Sequence, residues 1–145
     1  MPNTVLITVE EPFAPSVSEA RLEKLAKHVL ESEGETSAEL SILVTDDETV
    51  HDLNKRYAGE DHTTDVLSFS LLEGEEFVVP DDVTRLGEVI ISYPTAERQA
   101  ADARKPVGDE IDHLLVHGIL HLLGYDHANP EDERTMFART ADLLA

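Results

Sequence analysis

Short stretches of this chain alternate apolar with polar residues or are continuously apolar, as strands are. Residues 4–10 and 38–45 are rich in β-branched and apolar side chains, and residues 64–71 alternate polar with apolar. Residues 86–92 form a fourth such stretch. The pattern therefore predicts a small sheet of about four strands.

Helical spacing of apolar residues predicts two helices in the first half of the chain. A capping box of Ser16 and Glu19 opens the first, which ends at Gly34. Its apolar residues recur three and four positions apart and are Leu22, Leu25, Ala26, Val29 and Leu30. Asp46 or Asp47 caps a second, short helix that closes near Gly59. Its predicted inner side consists of Val50, Leu53 and Tyr57.

Three further helices are predicted in the second half. One runs from Pro94 to about residue 105, and a long one runs from about Asp109 to Leu123. Asn129, followed by Pro130, caps the last. Its predicted buried side consists of Met136, Phe137, Leu143 and Leu144. Ahead of these helices, the acidic segment 73–82 is predicted to be a surface loop around residues 77–79, a candidate short edge strand.

Length and composition predict one self-sufficient domain. The 145 residues contain no repeat and no low-complexity linker, so we expect a single α+β domain over residues 1–145, with a mixed sheet packed against about five helices. No cysteine is present, which excludes disulfides, thiolate nucleophiles and cysteine-ligated zinc. No signal-peptide pattern and no apolar run of membrane-spanning length occurs. A cytoplasmic protein without a membrane association is therefore expected.

The charge balance argues against a general polyanion-binding protein. The chain carries 31 acidic and 11 basic residues, a formal charge of −20, and the resulting potential repels phosphates. Any contact with nucleic acid must therefore be local. A bound metal ion would supply such a local positive charge.

The candidate chemistry lies in residues 117–127, where three histidines have a spacing suited to one metal ion. On a helix, His117 and His121 lie one above the other on a single face. Gly124 follows the apolar run and allows the chain to turn back, which would bring His127 to the same ion. Three neutral imidazoles with the fourth position open are the layout of a catalytic zinc site. The prediction is one zinc ion, or another divalent metal, on the long helix and the turn after it.

His113 offers a competing pair, because it precedes His117 by four residues on the same face. His113 and His121 would lie roughly 12 Å apart along the helix, whereas metal–nitrogen bonds are about 2.0–2.1 Å long. All three cannot bind one ion. We prefer His117 with His121, since that pair adjoins the Gly124 turn, and expect His113 to support a ligand or line the pocket wall.

The same spacing occurs in metzincin proteases, but one residue differs. Gly118 stands where those enzymes carry the glutamate that deprotonates the metal's water. We therefore expect the ion itself to lower the pKa of its water towards about 7 and to polarise a phosphoryl oxygen. Candidate assisting carboxylates are Asp126, Asp65 and Glu88. For Asp126, orienting a ligand histidine or capping the turn is at least as good an interpretation. For Asp65 and Glu88, ordinary loop or helix-cap hydrogen bonding is an equally good one.

Residues 117–127 resemble the histidine motif of the YbeY family of metal-dependent endoribonucleases, the bacterial rRNA maturation factors. Three further stretches resemble family motifs: Leu53-Asn54 to Tyr57 with residues 64–69, residues 86–92 with Gln99-Ala100, and the terminal helix with Met136.

The resemblance implies an α+β fold and a zinc-like ion on His117, His121 and His127. It also implies hydrolysis of single-stranded RNA, with a role in small-subunit rRNA 3′ end maturation and ribosome quality control. Ribosomal subunit proteins or a ribosome-associated GTPase are the implied partners. His117 would serve catalysis as well as metal binding. Candidate substrate-binding residues are Arg56, Tyr57, Thr64, Ser68 and Arg85.

Two positions depart from the family pattern. The family usually has an arginine directly after the tyrosine matched by Tyr57, and here that residue is Ala58. Thr63 stands where a proline is usual. Because the arginine is thought to engage the RNA phosphate, its loss predicts weaker ribonuclease activity than is typical of the family. Arg56 and Arg85 are the candidate substitutes.

Two other classes of function fit the same residues. One is a metallohydrolase acting on a peptide, an amide or a small phosphoester, although Gly118 weakens the peptidase version. The other is a ribosome-associated factor with weak or no catalysis, which Ala58 favours. Metal-loaded cleavage assays and co-sedimentation with ribosomal subunits would separate these alternatives.

Overall fold

The computed structural model describes residues 3–70, 84–125 and 129–145. The strands are β1 (Thr4–Val9), β2 (Ala38–Thr45), β3 (Val66–Ser70) and β4 (Thr84–Ser92). They form a sheet in the order β1-β2-β4-β3, in which β3 alone runs antiparallel to its neighbour. The predicted mixed sheet of four strands is confirmed. The candidate edge strand at 77–79 lies outside the described residues.

Within the described residues, five α-helices pack with the sheet into one α+β domain, as predicted. They are α1 (Glu19–Ser32), α2 (Asp47–Leu53), α3 (Tyr93–Ala103), α4 (Val107–Leu122) and α5 (Pro130–Leu144). A short 3-10 turn at Ala14–Ser16 precedes α1, and a π-helical turn at Asn54–Ala58 extends α2. The α+β class is therefore confirmed.

The helix caps agree with the sequence at two ends and disagree at one. Asp46 accepts a hydrogen bond from the Thr49 amide at the start of α2, and Asn129 accepts one from the Asp132 amide at the start of α5. The predicted Ser16 cap of α1 is wrong. Ser16 ends the 3-10 turn and the next residue is extended, so the chain enters α1 only at Ser18, whose hydroxyl accepts from the Arg21 amide.

Helix α4 lies at the centre of the packing. It contacts β3 and β4 on the sheet side and α1, α3 and α5 on its other sides. Nine of its residues are buried, among them Leu115, Val116, Ile119 and Leu120. Since this helix packs against five other elements, any side chain that α4 leaves at the surface is held on a rigid support.

Three predicted inner side chains are exposed instead. Tyr57 is 67% exposed, because the π turn shifts the residues beyond Leu53 and Asn54 takes the buried position. Phe137 is 60% and Leu144 is 38% exposed. The buried row of α5 is Met136, Thr140 and Leu143. This row follows helical spacing, and the two exposed residues each stand one position past it.

Gly87 brings β3 unusually close to β4. Its φ is +137°, and a Cβ at this position would lie 1.9 Å from the carbonyl oxygen of Phe69. No other residue fits there without moving β3. The strand register also shifts between Glu39 and Leu40 opposite this point, as at a β-bulge. The close approach fixes the edge strand that borders α4.

Candidate metal and substrate site

The partly exposed face of α4 carries a row of histidines. His113, His117 and His121 are only partly buried, whereas the residues between them are mostly buried apolar side chains. Four-residue spacing places the three rings in line along the helix. Because the rest of this part of α4 packs against the core, the histidine row holds the side chains that a ligand can reach.

The preferred ligand pair is close enough to share an ion. The ring centroids of His117 and His121 are 4.7 Å apart, and the ring planes meet at 74°. The rings of His113 and His117 are farther apart, at 6.5 Å, and are nearly parallel. Two imidazoles that converge in this way are donors that zinc prefers. His117 and His121 are thus placed as two of the three predicted metal ligands would be.

The third predicted ligand, His127, and the candidate carboxylate Asp126 lie outside the described residues. Within residues 3–70, 84–125 and 129–145, no group of three or more His, Cys, Asp or Glu side chains is arranged to hold an ion. A complete metal site on these ranges alone is therefore not formed. The zinc ion and its third ligand stay predictions.

A channel of about 470 Å³ runs between α4 and β3, and both preferred histidines line it. Its walls are residues 64–68 and 70 on one side and His117, His121 and Leu122 on the other. This volume lies within the range of roughly 300–1,000 Å³ that is usual for ligand sites. The structure thus brings the candidate residues Thr64, Asp65 and Ser68 together with the two histidines. We call this space the α4–β3 channel.

Ser68 ties the two walls of the α4–β3 channel together. Its hydroxyl donates to the carbonyl oxygen of Gly118 at 3.0 Å. A Cβ on Gly118 would lie 2.7 Å from Val89 Cγ1 and 3.2 Å from the Ser68 hydroxyl. A glutamate at this position would therefore require α4 to move away from the sheet. Close packing explains why this helix lacks the proteolytic base.

Asp65 is a carboxylate of the channel wall with defined partners. One oxygen accepts from the amide of Val66 at 2.7 Å and from the Thr64 hydroxyl at 3.4 Å. The other accepts from the side-chain amide of Gln99 at 3.3 Å. These donors fix the carboxylate at the beginning of β3. Asp65 can therefore orient groups in the channel without losing its place.

The structure does not bring Glu88 to the histidines. Its neighbour Val89 faces Gly118 of α4, and successive residues of a strand point to opposite faces. Glu88 is exposed and pairs across strands with Phe69, whose ring meets Tyr57 edge-on at 5.6 Å. Both Glu88 and Tyr57 therefore lie away from the α4–β3 channel.

The two candidate arginines are also outside that channel. Arg56 is engaged with Asp52, one helical turn earlier, with Nε 3.2 Å from the carboxylate. Arg85 is partly buried near the start of β4, and neither arginine lines the channel among the described residues. Neither Arg56 nor Arg85 is therefore placed to substitute for the family arginine at the channel.

Comparison with known proteins decides the family. A family model described as Endoribonuclease YbeY matches residues 8–145. The chain belongs to the YbeY family. It is 45% identical over 140 residues to Endoribonuclease YbeY of Dehalococcoides mccartyi strain CBDB1, covering 90% of this chain and 84% of that one. The predicted family is thus confirmed. Its members are named as endoribonucleases, which are enzymes.

Two further comparisons, one of sequence and one of structure, agree in extent. The Desulforamulus reducens protein of the same name is 42% identical over 140 residues, covering 95% of this chain and 88% of its own. A solution structure of TM1509 from Thermotoga maritima superimposes with a TM-score of 0.67 at 22% identity, covering 97% of this chain and 87% of that one. The latter shows the fold alone. Among the described residues, no helix combines the length and apolar character needed to cross a bilayer.

The segment that departs from the YbeY pattern is held by polar contacts of its own. Thr63, where the family usually has a proline, donates from its hydroxyl to the Asp47 carbonyl at 3.1 Å. The side-chain amide of Asn54 donates to the His62 carbonyl at 2.8 Å. Ala58 is exposed and ends the π turn ahead of Gly59, whose φ is +73°. The backbone around this position is therefore held by contacts that do not involve an arginine.

The surroundings of Ala58 are acidic. A hydrogen bond from His51 and the charge of Lys55 lower the pKa of the Asp61 carboxyl below its ordinary value, so Asp61 is ionised at neutral pH. The Glu60 carboxylate lies 3.3 Å from His62 Nε2, a contact that is an ion pair when the imidazole is protonated. These carboxylates would oppose an RNA phosphate at this edge.

Tyr125 anchors the chain where it leaves α4. Its hydroxyl donates to Glu33 at the end of α1, and Glu33 also accepts from Arg139 Nε of α5 at 2.6 Å. Burial, and then the adjacent Glu33 carboxylate, raise the pKa of Tyr125. Three helices thus meet two residues before His127. Sequence reasoning missed this anchor, because its partners are far apart in the chain.

A second, smaller pocket adjoins the histidine row on the α5 side. It measures about 230 Å³. Its lining residues are His113, His117, Glu133, Met136, Phe137 and Thr140. His113 is thus a pocket-wall residue, one of the two roles expected for it. The misplacement of Phe137 in the core hid this pocket from sequence analysis. We call it the α4–α5 pocket.

Proposed function

We propose that this protein is an endoribonuclease that cleaves single-stranded RNA at the α4–β3 channel and acts in rRNA processing. The observation that carries the proposal is the placement of His117 and His121 on one wall of that channel, at a ring separation of 4.7 Å. Membership of the YbeY family supplies the reaction class. We further propose one zinc ion, or another divalent metal, on this pair and His127.

When bound, a divalent ion would polarise a phosphoryl oxygen and activate water for attack on phosphorus. The chain's own residues supply placement. Ser68 fixes the width of the channel through its bond to Gly118, so the histidine pair faces the β3 wall at a set distance. Asp65 is the described carboxylate of that channel, and we assign it the task of orienting or accepting a proton.

Strand selectivity has a geometric basis in the same proposal. The channel is bounded by a helix and an edge strand, and its volume of about 470 Å³ suits a few nucleotide groups of a single strand rather than a whole base-paired helix. A flexible single strand can present one phosphate to the histidine pair. A base-paired helix cannot do so without local opening.

The net charge of −20 shapes how substrate would be held. Long-range attraction of RNA is unfavourable, so binding depends on contacts at the site itself. The family arginine that would add one such contact is Ala58 here. We therefore propose an enzyme with weak substrate capture.

The cellular setting is part of the proposal. A cytoplasmic role in small-subunit rRNA 3′ end maturation and ribosome quality control follows the function that family resemblance implies. Ribosomal subunit proteins or a ribosome-associated GTPase would be its protein partners. Co-sedimentation of the purified protein with small ribosomal subunits tests this setting separately from RNA cleavage.

The decisive experiment measures cleavage of one labelled RNA in single-stranded form and annealed to its complement. The protein is used metal-loaded, after chelation, and as the His117→Ala and His121→Ala variants. We expect cleavage of the single strand only, lost on chelation and in both variants. His28→Ala is the matched control, because His28 is exposed on α1 away from the channel. No cleavage by the metal-loaded parent would overturn the proposal.

A further inference from the structure

The α4–α5 pocket carries an aromatic ring at its rim that the core does not use. Phe137 is 60% exposed although its neighbour Met136 is 3% exposed. A large aromatic left in water beside a pocket presents a flat face for stacking. In single-stranded RNA recognition, unstacked bases lie on such rings.

One carboxylate gives this pocket a charged hydrogen-bond acceptor beside the apolar ring. Glu133 lines the same pocket and is exposed. Among the described residues, its carboxylate forms no hydrogen bond and no ion pair. An ionised carboxylate only accepts hydrogen bonds and can receive two side by side. Thr140 is less available, because its hydroxyl already donates to the Met136 carbonyl at 2.8 Å.

The pocket also shares one wall residue with the proposed cleavage site. His117 lines both the α4–α5 pocket and the α4–β3 channel. At about 230 Å³, the pocket is smaller than the roughly 300–1,000 Å³ of sites that hold larger ligands. It therefore suits one base of a strand whose phosphate lies at His117.

We propose that the α4–α5 pocket binds a guanine base of the RNA substrate, with Phe137 stacking on the ring and Glu133 accepting from its N1–H and N2 amino groups. Guanine is the base with two adjacent donors on its Watson–Crick edge. Adenine and cytosine place an acceptor beside their amino group, and uracil flanks its N–H with two carbonyls, so each would repel the carboxylate. This inference rests on the proposed function for its biological meaning, but binding can be measured without cleavage.

The test uses a methyl probe inside the pocket. The chain has two methionines, Met1 and Met136, so protein with a ¹³C-labelled methionine methyl gives two signals, and Met136→Leu identifies the one in the pocket. Titration with guanosine should move the Met136 signal. Inosine, which lacks the N2 amino group, should bind about 10-fold more weakly, as expected for the loss of one hydrogen bond to a charged acceptor. Uridine should leave the signal unchanged.

Two variants separate the contacts. Glu133→Gln should reduce guanosine affinity about 10-fold and bring it to the level of inosine. Phe137→Ala should weaken guanosine and inosine alike, by about 10-fold, since stacking does not read the edge. Glu131→Gln is the matched control, being an exposed carboxylate of the same helix that does not line the pocket.

Cleavage provides the second measurement. On a randomised single-stranded RNA, the parent should favour guanine at one fixed position near the cut, and Glu133→Gln should lose that preference while still cleaving. Cleavage without any base preference, together with an unmoved Met136 signal, overturns the pocket assignment and leaves the ribonuclease proposal standing. If guanosine binds but RNA is not cleaved, the ribonuclease proposal is overturned and the pocket assignment stands. A Met136 signal that shifts with protein concentration alone would show a second copy in the pocket and overturn the guanine assignment.

Discussion

The hydroxyl of Tyr125 donates to both carboxylate oxygens of Glu33, at 3.2 and 3.1 Å, across 92 residues of sequence. The same carboxylate accepts from Arg139. The chain that leads from α4 towards His127 is thereby attached to α1 and α5. A contact outside the histidine row therefore anchors the chain at Tyr125, two positions before the predicted ligand His127 in the sequence.

Tyr125→Phe should therefore destabilise the metal-free protein. Loss of a partly buried hydrogen bond to a charged acceptor is expected to lower the free energy of unfolding by about 1–3 kcal/mol. Urea unfolding measures the change. Tyr57→Phe is the matched control, since that ring is 67% exposed, and should stay within about 0.5 kcal/mol of the parent. Equal stability of the two variants would contradict the anchoring role.

The His117–His121 pair predicts which variants bind metal. His117→Ala and His121→Ala should lose zinc, whereas His113→Ala should still bind one ion per chain, because its ring faces the α4–α5 pocket. Metal analysis after gel filtration measures this. Protons compete with metal for neutral imidazoles, so affinity should fall below about pH 6. An affinity that is flat from about pH 5 to 8 would instead indicate a carboxylate site.

The carboxylate of Asp47 predicts how stability depends on acid. Burial alone would raise its pKa, but hydrogen bonds from Ser92, Thr95 and Arg98 hold the pKa below the ordinary value. A carboxyl with a lowered folded-state pKa stabilises the protein above its unfolded pKa of about 3.9, and that contribution is lost as the pH falls through the folded value. The parent should therefore lose stability steeply below about pH 4.

Asp47→Asn should flatten this acid loss and lower the free energy of unfolding at pH 7 by about 1–3 kcal/mol, the usual cost of disrupting hydrogen bonds to a charged group. Denaturant unfolding at several pH values measures both effects. Asp52→Asn is the control, because Asp52 is 54% exposed and its ion pair with Arg56 lies at the surface. It should change stability by less than about 1 kcal/mol. Parallel pH profiles for the parent and Asp47→Asn would refute the assignment.

Replacing Gly118 by alanine should lower the stability of the protein, although glycine-to-alanine changes in helices usually raise it. Glycine to alanine in a helix ordinarily stabilises by about 1 kcal/mol. Here the new methyl group would lie 2.7 Å from Val89 Cγ1, so overpacking should make Gly118→Ala less stable by about 1–3 kcal/mol. A double-mutant cycle with Val89→Ala should show favourable coupling, because the shorter side chain makes room. A more stable Gly118→Ala would contradict the close contact.

The exposed position of Ala58 predicts a gain of activity. Ala58→Arg should raise single-strand cleavage by about 10-fold or more, equivalent to one charge-assisted contact with phosphate. Ala58→Lys should gain less, because an ammonium group cannot form the bidentate contact, and Ala58→Gln should gain little. Stability should barely change in all three. Equal cleavage by the parent and Ala58→Arg would show that position 58 does not contact the phosphate, and no cleavage by either metal-loaded protein would favour the ribosome-associated factor with weak or no catalysis.

The sequence predicted the elements of this fold well because local patterns determine them. Alternation located the strands, and spacing with caps at Asp46 and Asn129 located the helices. The pairing of His117 with His121 followed from helix geometry in the same way. These are relations between residues a few positions apart.

The errors arose where longer-range packing decides. A π turn turned Tyr57 out of the core, and the packing of α5 against α4 placed Phe137 at a pocket rim instead of inside. Glu88 looked like a candidate carboxylate, but its strand face points away from the histidines. Neither the opposite face of a central strand nor the tilt of a terminal helix can be read from local spacing.

Because the middle and last turns of α4 bury most side chains other than the histidines, fold and chemistry occupy different positions of the same helix. Leu115, Ile119 and Leu120 are fully buried, so core packing constrains which residues can stand there. The three histidines are constrained instead by the binding of ligand and substrate. A deep mutational scan scored for abundance should tolerate changes at positions 113, 117 and 121 that a scan scored for activity rejects. Such a helix can acquire a new reaction by changing one row of residues, without having to discover a new fold.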